Sequence, residues 1–446
     1  MEPRKVIIIG AAGRDFHNFN MLFRHNRAYK VVAFTAYQIP DIDGRKYPAS
    51  LAGPDLYPDG IPIVSQNGLA QLIKTTLAGE CIFSYSDISY QKLMNIGAEV
   101  NSAGAAFTLP SPAETMLKST KPIISVCAVR TGAGKSQTSR KVIELLLKQG
   151  LKVIAVRHPM PYGDLALQKV QRFATIDDLS RHQCTIEEME EYEPHIVRGN
   201  VIYAGVFYQA ILRAAEIVPD GCDVIVWDGG NNDFPFFRPD LAIAVADPMR
   251  PNAETSYYPG EVNIRMADVV IINKIDSALP SDIETVRKNI SRLNPEAILI
   301  EAASPVAVTQ PTLIRGKRVL VVEDGPTLTH GEMKIGAGTV AAQKFGAKEI
   351  VDPRPWLTGK LAETFKIYPE IGTILPAMGY GKQQINDLEA TINQSDCDTV
   401  IIGTPIDLGR IININKPSTR VSYDLEEIGA PKLDSVIADF CRKMKL

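Results

Sequence analysis

A glycine-rich loop between an apolar run and a helical pattern limits the fold of this 446-residue chain more than any other feature. The β-branched run at 122–126 predicts a buried strand, 139–148 predicts a helix, and 153–156 predicts a second strand. Strand, glycine loop, helix and strand form one βαβ unit, so an α/β fold with a parallel sheet follows. The loop residues expected to bind a cofactor are Arg130, Thr131, Gly132, Ala133, Gly134, Lys135, Ser136 and Gln137.

The GAGKS core of this loop predicts a site for the phosphates of a nucleotide. Glycines let backbone amides face a polyphosphate, and the helix N-terminus adds positive potential. Lys135 would reach the β- and γ-phosphates, and Ser136 would ligate Mg²⁺. The strict pattern has glycine at the first position, where this chain has Val129. Arg130 stands where the deviant Walker A class of P-loop enzymes carries a second lysine, so it either contacts phosphate, in its own subunit or across a dimer, or is solvated.

Further α/β patterns on both sides of this unit predict a multidomain α/β protein. Residues 1–120, with an apolar strand at 6–9 that ends in a glycine turn, predict a Rossmann-like domain. Residues 121–317 contain the P-loop and predict an NTPase domain, and 318–446 predict a small C-terminal α/β domain. In such sheets the carboxyl ends of the strands form the ligand crevice.

Composition excludes several classes of protein. With 48 basic and 51 acidic residues the net charge is -3, so neither a nucleic acid nor an anionic membrane is expected as a partner. No apolar run reaches the roughly 18 residues of a membrane-spanning helix. The six cysteines lie far apart without CxxC spacing. These features favour a reduced, cytoplasmic enzyme without disulfides or structural zinc.

Polar residues follow the strands of the central block. The run 223–228 is apolar and ends in Asp228, which is typical of a Walker B strand whose carboxylate binds Mg²⁺ directly or through water. Asp164, in the loop after the strand at 153–156, is a second candidate metal ligand. The glycine-loosened loop after Asp228 offers Asn231 and Asn232 for substrate binding.

Two charged segments of the same block allow different interpretations. Arg157 and His158 follow a strand and precede a proline-rich loop, which favours anion binding by Arg157 and a catalytic role for His158 over purely structural roles. The acidic run at 187–191 indicates a solvated helix face, with a metal or substrate role as the minority hypothesis.

The segment Asn273-Lys274-Ile275-Asp276 after an apolar strand matches the NKxD motif of guanine-specific P-loop proteins. In that motif the carboxylate accepts hydrogen bonds from the base, and the lysine stem covers it. We therefore expect Asn273, Lys274 and Asp276 to face the nucleotide base. Whether the base is adenine or guanine stays open.

The third block has several polar strand ends, which together predict a second crevice for an anionic substrate. Its carboxylates, hydroxyls and histidine are expected to orient groups or move protons. The candidates are Asp324, Thr329, His330, Arg354, Asp407, Arg410 and Lys416. Arg14, in the glycine turn of the first block, is a further candidate for holding a phosphate or carboxylate.

Long motifs spread over nearly the whole chain support a family resemblance. In chain order they are GAAGRDFHNFN, AVRTGAGKSQTSR, VRHPMPYGDL, WDGGNND, INKID, EDGPTLTHG, LPAMGYG and GTPIDL. This set resembles the cyclic 2,3-diphosphoglycerate synthetases and the predicted GTPases grouped with them. The resemblance implies a homodimer that uses ATP and Mg²⁺ to close 2,3-diphosphoglycerate into an intramolecular phosphoanhydride, with release of ADP and phosphate. The NKID motif makes GTP an alternative nucleotide.

The resemblance implies phosphoryl transfer to a small anionic, phosphorylated substrate. Its catalytic residues would be Lys135, Asp228, His158, Asp324 and His330, and its substrate would be held by cations that include Arg14, Arg157, Arg250, Arg354, Arg410 and Lys416. The two crevices would then face each other. Two other functions remain open: a regulatory GTPase or metallochaperone, and a ligase that activates another carboxylic acid as an acyl phosphate.

Overall fold

Three β-sheets with helices on their faces make up the protein. The computed structural model describes residues 2–37, 42–158, 160–230, 233–325, 336–379 and 382–446. The strands predicted around 122–126 and 153–156 are present, which confirms an α/β fold, and the chain forms several sheets. Within the described ranges, no helix combines the length and the apolar character that a membrane crossing requires.

The first sheet contains β1 (Arg4–Ile9), β2 (Tyr29–Ala36), β3 (Lys46–Tyr47), β4 (Ile61–Ser65), β5 (Glu80–Phe83) and β6 (Ala106–Thr108). Its order is β3-β4-β2-β1-β5-β6, and only β3 is antiparallel to its neighbour. Around it lie α1 (Arg14–Asn18), a π-helical turn (Phe19–Phe23), α2 (Ala49–Ala52), α3 (Leu69–Thr76), α4 (Tyr90–Ser102) and α5 (Pro112–Thr115). The residues of β1 from 6 to 9 alternate between two apolar clusters, so both faces of the sheet are covered.

The central sheet is built around β7 (Ile123–Ala128), all of whose residues are buried. Its other strands are β8 (Val153–Arg157), β9 (Gln171–Phe173), β10 (Val201–Ala204), β11 (Val224–Asp228), β12 (Leu241–Ala246), β13 (Val269–Ile272) and β14 (Ile298–Ala303). Its helices are α6 (Lys135–Lys148), α7 (Ile176–Arg181), α8 (Ile186–Ile196), α9 (Tyr208–Glu216), α10 (Ala253–Ser256), α11 (Tyr258–Met266) and α12 (Pro280–Leu293). The order β14-β13-β12-β7-β11-β8-β10 is parallel throughout, and β9 adds an antiparallel edge.

The third sheet contains β15 (Val306–Val308), β16 (Arg318–Asp324), β17 (Glu349–Ile350), β18 (Leu375–Ala377), β19 (Thr399–Ile402) and β20 (Ser418–Tyr423). Its order is β15-β20-β19-β16-β17, with β18 also paired to β16. The helices α13 (Ala337–Lys344), α14 (Gly359–Ile367) and α15 (Lys382–Gln394) pack on it.

Strand pairing crosses the boundary that the sequence analysis placed at 317/318. β15 precedes that boundary but pairs with β20 of the third sheet. After β20, the strand β21 (Glu426–Ile428) pairs with β14, and α16 (Leu433–Met444) adds apolar side chains to the core of the central sheet. The chain therefore crosses between these two sheets twice, and both crossings lie beside the cavity described below.

Candidate functional site

The P-loop turns from β7 into α6 through two glycines with left-handed backbone. Gly132 has a φ of 81° and Gly134 a φ of 109°, and α6 begins at Lys135. A Cβ atom at Gly134 would lie 2.0 Å from the side-chain nitrogen of Asn273, so this position accepts only glycine. The loop thus has the close-packed form in which backbone amides can face an anion.

Three side chains hold the carbonyl groups of this loop from its outer side. Arg250 donates to Thr131, Lys274 to Gly132 and Asn273 to Ala133, at 2.6, 2.6 and 3.0 Å. The Asp247 carboxylate, at the end of β12, in turn holds Arg250 at 3.0 Å and Lys274 at 3.1 Å. Because the carbonyls are occupied, the loop is organised before any ligand binds. The structure therefore places Arg250, Asn273 and Lys274, predicted to touch substrate or base, in direct contact with the P-loop.

Asp228, at the end of β11, is the centre of a buried polar network. Its Oδ1 accepts hydrogen bonds from Lys135 Nζ at 2.7 Å and Ser139 Oγ at 2.6 Å. Its Oδ2 lies 2.5 Å from Arg157 and 3.0 Å from His195 Nε2. Both carboxylate oxygens are thus occupied by groups of the chain itself.

Two cations set the protonation of this network. Burial alone would raise the pKa of Asp228, but Arg157 and Lys135 hold that pKa well below its ordinary value. Burial, and then the nearby Arg157 charge, lowers the pKa of Lys135 to about 8. Asp228 therefore stays ionised at neutral pH, and Lys135 is a cation that loses its proton unusually easily.

Helix α8 is buried between the central and third sheets, so the expectation of a solvated acidic face was wrong. The helix begins at a capping box, in which Thr185 and Glu188 exchange hydrogen bonds of 3.2 and 2.9 Å. Its acidic residues meet partners on both sides. Glu191 pairs with Arg157 of the central sheet, Glu190 accepts a 2.5 Å bond from Thr404, and Glu193 lies 3.4 Å from Arg410.

A cavity of about 160 Å³ lies between the P-loop and the strand ends of the third sheet. On the P-loop side it is lined by Arg130, Thr131, Gly132, Gly134, Lys135, Ser136, Gln137 and Lys274. On the opposite side the charged lining residues are Glu191, Glu323 and Asp324, beside Gly336, Gly403 and Tyr423. The cavity therefore joins a basic, loop-lined half to an acidic half. The two sets of strand ends line one cavity, but the charged residues of the third block that line it are acidic rather than basic as expected.

Glu323 occupies the N-terminus of α13. Its carboxylate accepts hydrogen bonds from the backbone amides of Gly338 at 3.2 Å and Thr339 at 2.8 Å. A Cβ at Gly336 or Gly403 would lie 2.4 Å from that carboxylate, so a side chain at either position would displace it. Burial raises the pKa of Glu323 to about 7. For Glu190, burial and then the Asp324 charge raise the pKa well above its ordinary value.

The loop residues suit the phosphates of a nucleotide. Lys135 and Ser136 line the cavity at the N-terminus of α6. Gln137 Nε2 and Thr131 Oγ1 are buried without a hydrogen-bond partner in the described part of the chain. Buried polar groups in this state are costly unless a ligand or water satisfies them. The combination fits a bound polyphosphate.

Two sequence-predicted nucleotide contacts have other partners. Arg130 pairs with Asp87 of the first domain at 2.9 Å and its guanidinium lies 3.9 Å from the ring centre of Tyr257. It is thus buried rather than solvated, although it lines the cavity. Asp276 is exposed at the rim and accepts a 3.0 Å bond from the Ser304 amide. That position leaves it able to meet a base.

Three predicted site residues, for substrate, catalysis and metal respectively, are absent from the cavity lining: Arg14, His158 and Asp164. Arg14 donates to Asp233 at 2.8 Å, and His158 lies 3.7 Å from the same carboxylate, at the boundary with the first domain. Asp164 accepts hydrogen bonds from the amides of residues 166 and 167. Its negative charge also raises the pKa of Arg45, against the larger lowering caused by burial. Neither His158 nor Asp164 is among the residues that line the cavity with Lys135.

The basic residues of the third block are also engaged elsewhere. Arg354 pairs with Asp352 at 2.8 Å, and Lys416 donates to the Asn393 carbonyl at 3.0 Å. Asp407 accepts from the Gly409 amide and lies 3.6 Å from Arg410. Of that block's candidates within the described residues, Asp324 is the one in the cavity lining. Asn231, Asn232, Thr329 and His330 lie outside the described residues.

Sequence reasoning missed the residues that close the site. Glu191, His195 and Glu323 contact the network or line the cavity, and Asp87 reaches the P-loop from another domain. Apolar residues at 186, 189, 192 and 196 carried a signal, since this spacing indicates a helix with a buried face.

No cluster of three or more acidic, histidine or cysteine side chains that could hold a metal occurs in the described ranges.

Comparison with known proteins assigns the chain to a family. The arginine synthetase ArcE of Thermococcus kodakarensis is 60% identical over 447 residues, covering 100% of this chain and 99% of the relative. The chain belongs to the arginine synthetase ArcE family. It is therefore a synthetase-type enzyme with a P-loop, and the relationship does not single out cyclic 2,3-diphosphoglycerate synthetase. No protein-family model matches the chain.

Solved structures show only distant similarity. LpxK from Aquifex aeolicus, in complex with ATP, has a TM-score of 0.43 at 10% identity, covering 83% of this chain and 99% of LpxK. The hydrogenase maturation factor HypB from Archaeoglobus fulgidus has a TM-score of 0.27 at 16% identity, covering 41% of this chain and 81% of HypB. At these TM-scores neither similarity carries weight for fold or function.

Proposed function

We propose that the protein is a nucleotide-dependent synthetase that forms arginine, with ATP as the phosphoryl donor. The observation that carries this proposal is the Asp324 carboxylate in the acidic half of the cavity, where Glu191 is paired with Arg157 and Glu323 with the amides of α13. A guanidinium product is a cation, and carboxylates recognise it through charge-assisted hydrogen bonds. The name of the 60% identical relative supports the same product.

The acidic half disfavours 2,3-diphosphoglycerate as the substrate. That compound carries two phosphates and a carboxylate, and like charges brought together without compensating cations repel strongly. The cations proposed for it have acidic partners instead: Arg157 with Asp228 and Glu191, and Arg410 with Glu193.

A reaction that fits the P-loop and the product runs in two steps. The ureido oxygen of citrulline, the analogue of arginine with oxygen in place of one nitrogen, attacks the γ-phosphorus as the bond to the β–γ bridging oxygen breaks and ADP leaves. An amine nitrogen then adds to the ureido carbon, the carbon–oxygen bond breaks, and that oxygen leaves in inorganic phosphate. With ammonia as the amine, the products are arginine, ADP and phosphate.

The residues of the chain then have separable roles. Loop amides and Lys135 would bind the β- and γ-phosphates, while Asp228 keeps Lys135 in place through their 2.7 Å contact. Ser136 would hold Mg²⁺, which neutralises phosphate charge when bound. Because both oxygens of Asp228 are occupied by protein groups, we assign it the orientation of Lys135 and Ser139 rather than a direct metal bond.

The test is a product assay with paired substrates. The enzyme is incubated with ATP or GTP and Mg²⁺, plus citrulline with either ammonium or glutamine, and in parallel with 2,3-diphosphoglycerate. We expect arginine and ADP in equal amounts with one of the two amine donors, and no nucleotide turnover with the phosphoglycerate. A rate of nucleotide turnover that does not depend on citrulline would overturn the proposal. A phosphoglycerate anhydride in the mass spectrum would favour cyclic 2,3-diphosphoglycerate synthesis instead.

A further inference from the structure

The first domain reaches the P-loop through the carboxylate of Asp87. Asp87 lies between β5 and α4, and its Oδ1 and Oδ2 accept hydrogen bonds from Arg130 Nε at 2.9 Å and from the Thr131 amide at 3.1 Å. The Asp87 side chain is only 4% exposed. One carboxylate thus binds both the side chain and the backbone at the start of the loop.

The segment that follows Asp87 is fixed against the central domain. The Tyr258 amide donates to the Ile88 carbonyl at 3.1 Å, and Tyr90 donates its hydroxyl to Glu261 at 2.9 Å. Asp87 itself has a φ of 52°, a left-handed conformation that residues with a side chain seldom adopt. Backbone of this kind persists where its surroundings fix it, often beside functional loops.

We propose that Asp87 is a positioning residue for nucleotide binding. This proposal rests on the proposed function, and it gives the first domain a part in the nucleotide site. Side chains of the central domain hold the loop carbonyls of residues 131–133, and Asp87 holds the amide of residue 131 and the Arg130 guanidinium. The outer side of the loop is then anchored at every residue from 130 to 133. The amides that follow, together with Lys135, are left for phosphate.

Loss of Asp87 has two consequences for the loop. The Thr131 amide loses its acceptor, so the loop can leave its anion-binding form, and ordering it again weakens nucleotide binding. Arg130 loses its buried carboxylate partner, so that ion pair no longer holds its guanidinium over the ring of Tyr257. Neither consequence touches the acidic half of the cavity, so acceptor binding should be unchanged.

The experiment compares Asp87→Ala and Asp87→Asn with a control from the same segment, Tyr90→Phe. The control removes the hydrogen bond to Glu261 across the same domain boundary without touching the P-loop. ADP binding is measured by isothermal titration on the full-length protein, and KM is measured for nucleotide and acceptor. We expect the ADP Kd to rise roughly tenfold in Asp87→Ala and less in Asp87→Asn, which keeps one acceptor oxygen. In Tyr90→Phe it should stay within about twofold, because the lost hydrogen bond to Glu261 involves no atom of the P-loop.

A double variant separates positioning from general damage. If Asp87 acts through Arg130, the ADP Kd of Asp87→Ala/Arg130→Ala should differ from the product of the single effects. An unchanged ADP Kd in folded Asp87→Asn and Asp87→Ala, or an equal rise in nucleotide and acceptor KM, would overturn the inference. If wild-type protein fails to bind ADP, the nucleotide site itself is refuted. If wild-type protein binds ADP but makes no arginine, the proposed product is refuted and the inference about Asp87 is still tested by ADP binding.

Discussion

Asp228→Asn should destabilise the protein through the two cations that it leaves behind. Asp228 is fully buried, and the side chains of Lys135 and Arg157 beside it are 8% and 1% exposed. Asparagine keeps one acceptor oxygen for Lys135 and Ser139. Its amide nitrogen then points donors at the donors of Arg157 and His195.

The size of the effect follows from these contacts. Removing one partner of a buried ion pair costs about 3–5 kcal/mol, because a charge is left without compensation. Arg157 keeps its pair with Glu191, so we expect the lower part of that range, about 3 kcal/mol. The control is Asp240→Asn, an exposed residue that accepts a 2.9 Å bond from the Ile123 amide and keeps an acceptor after the change. It should cost no more than about 0.5 kcal/mol.

Urea unfolding in the absence of nucleotide measures both variants. Trp227 precedes Asp228 in β11 and is fully buried, so its fluorescence reports this part of the central sheet. A Trp356→Phe background removes the second tryptophan of the chain from the signal. Equal stability of Asp228→Asn and Asp240→Asn would refute the conclusion that Asp228 compensates buried cations.

Four further outcomes are expected. Lys135→Ala should lower nucleotide turnover at least about a hundredfold in a folded protein, because the charge at the β- and γ-phosphates is lost, and near-normal rates would exclude this loop as the phosphate site. Since a polyphosphate favours charged Lys135, whose pKa is about 8 without ligand, ADP binding between pH 8 and 9 should take up protons. Titration in buffers of different ionisation enthalpy measures this uptake, and Lys135→Ala should abolish it. Asp276→Asn should change the ratio of ATP to GTP turnover, whereas an unchanged ratio would make the NKID segment a surface turn. Asp324→Asn should raise the acceptor KM about tenfold and leave the nucleotide KM unchanged, and a shift in both would place Asp324 at the nucleotide.

The parts of the site that are local in sequence could be predicted. The P-loop, the Walker B position of Asp228 and the NKID segment each depend on a few consecutive residues after an apolar strand. Their meeting at one sheet edge follows from parallel strand order. The structure has the strands and the loop where the patterns placed them, and the roles of these residues in binding stay predictions.

What could not be predicted depends on partners distant in sequence. Glu190 and Thr404 are 214 positions apart, as are the two ends of the contact between Glu193 and the Asp407 amide. Without those partners an acidic helix is correctly expected to be solvated. The partner of a cation such as Arg157 could not be predicted either, because a strand-end arginine has the same sequence pattern whether it binds a substrate or a buried carboxylate.

The position of the ureido oxygen after the reaction tests most directly whether arginine forms through phosphorylated citrulline. Citrulline labelled with ¹⁸O at the ureido position is incubated with the enzyme, ATP, Mg²⁺ and the active amine donor, and the phosphate and arginine are analysed by mass spectrometry. We predict one ¹⁸O atom in each inorganic phosphate and none in arginine, because phosphorylation activates that oxygen as the leaving group. Unlabelled phosphate formed together with arginine would contradict it.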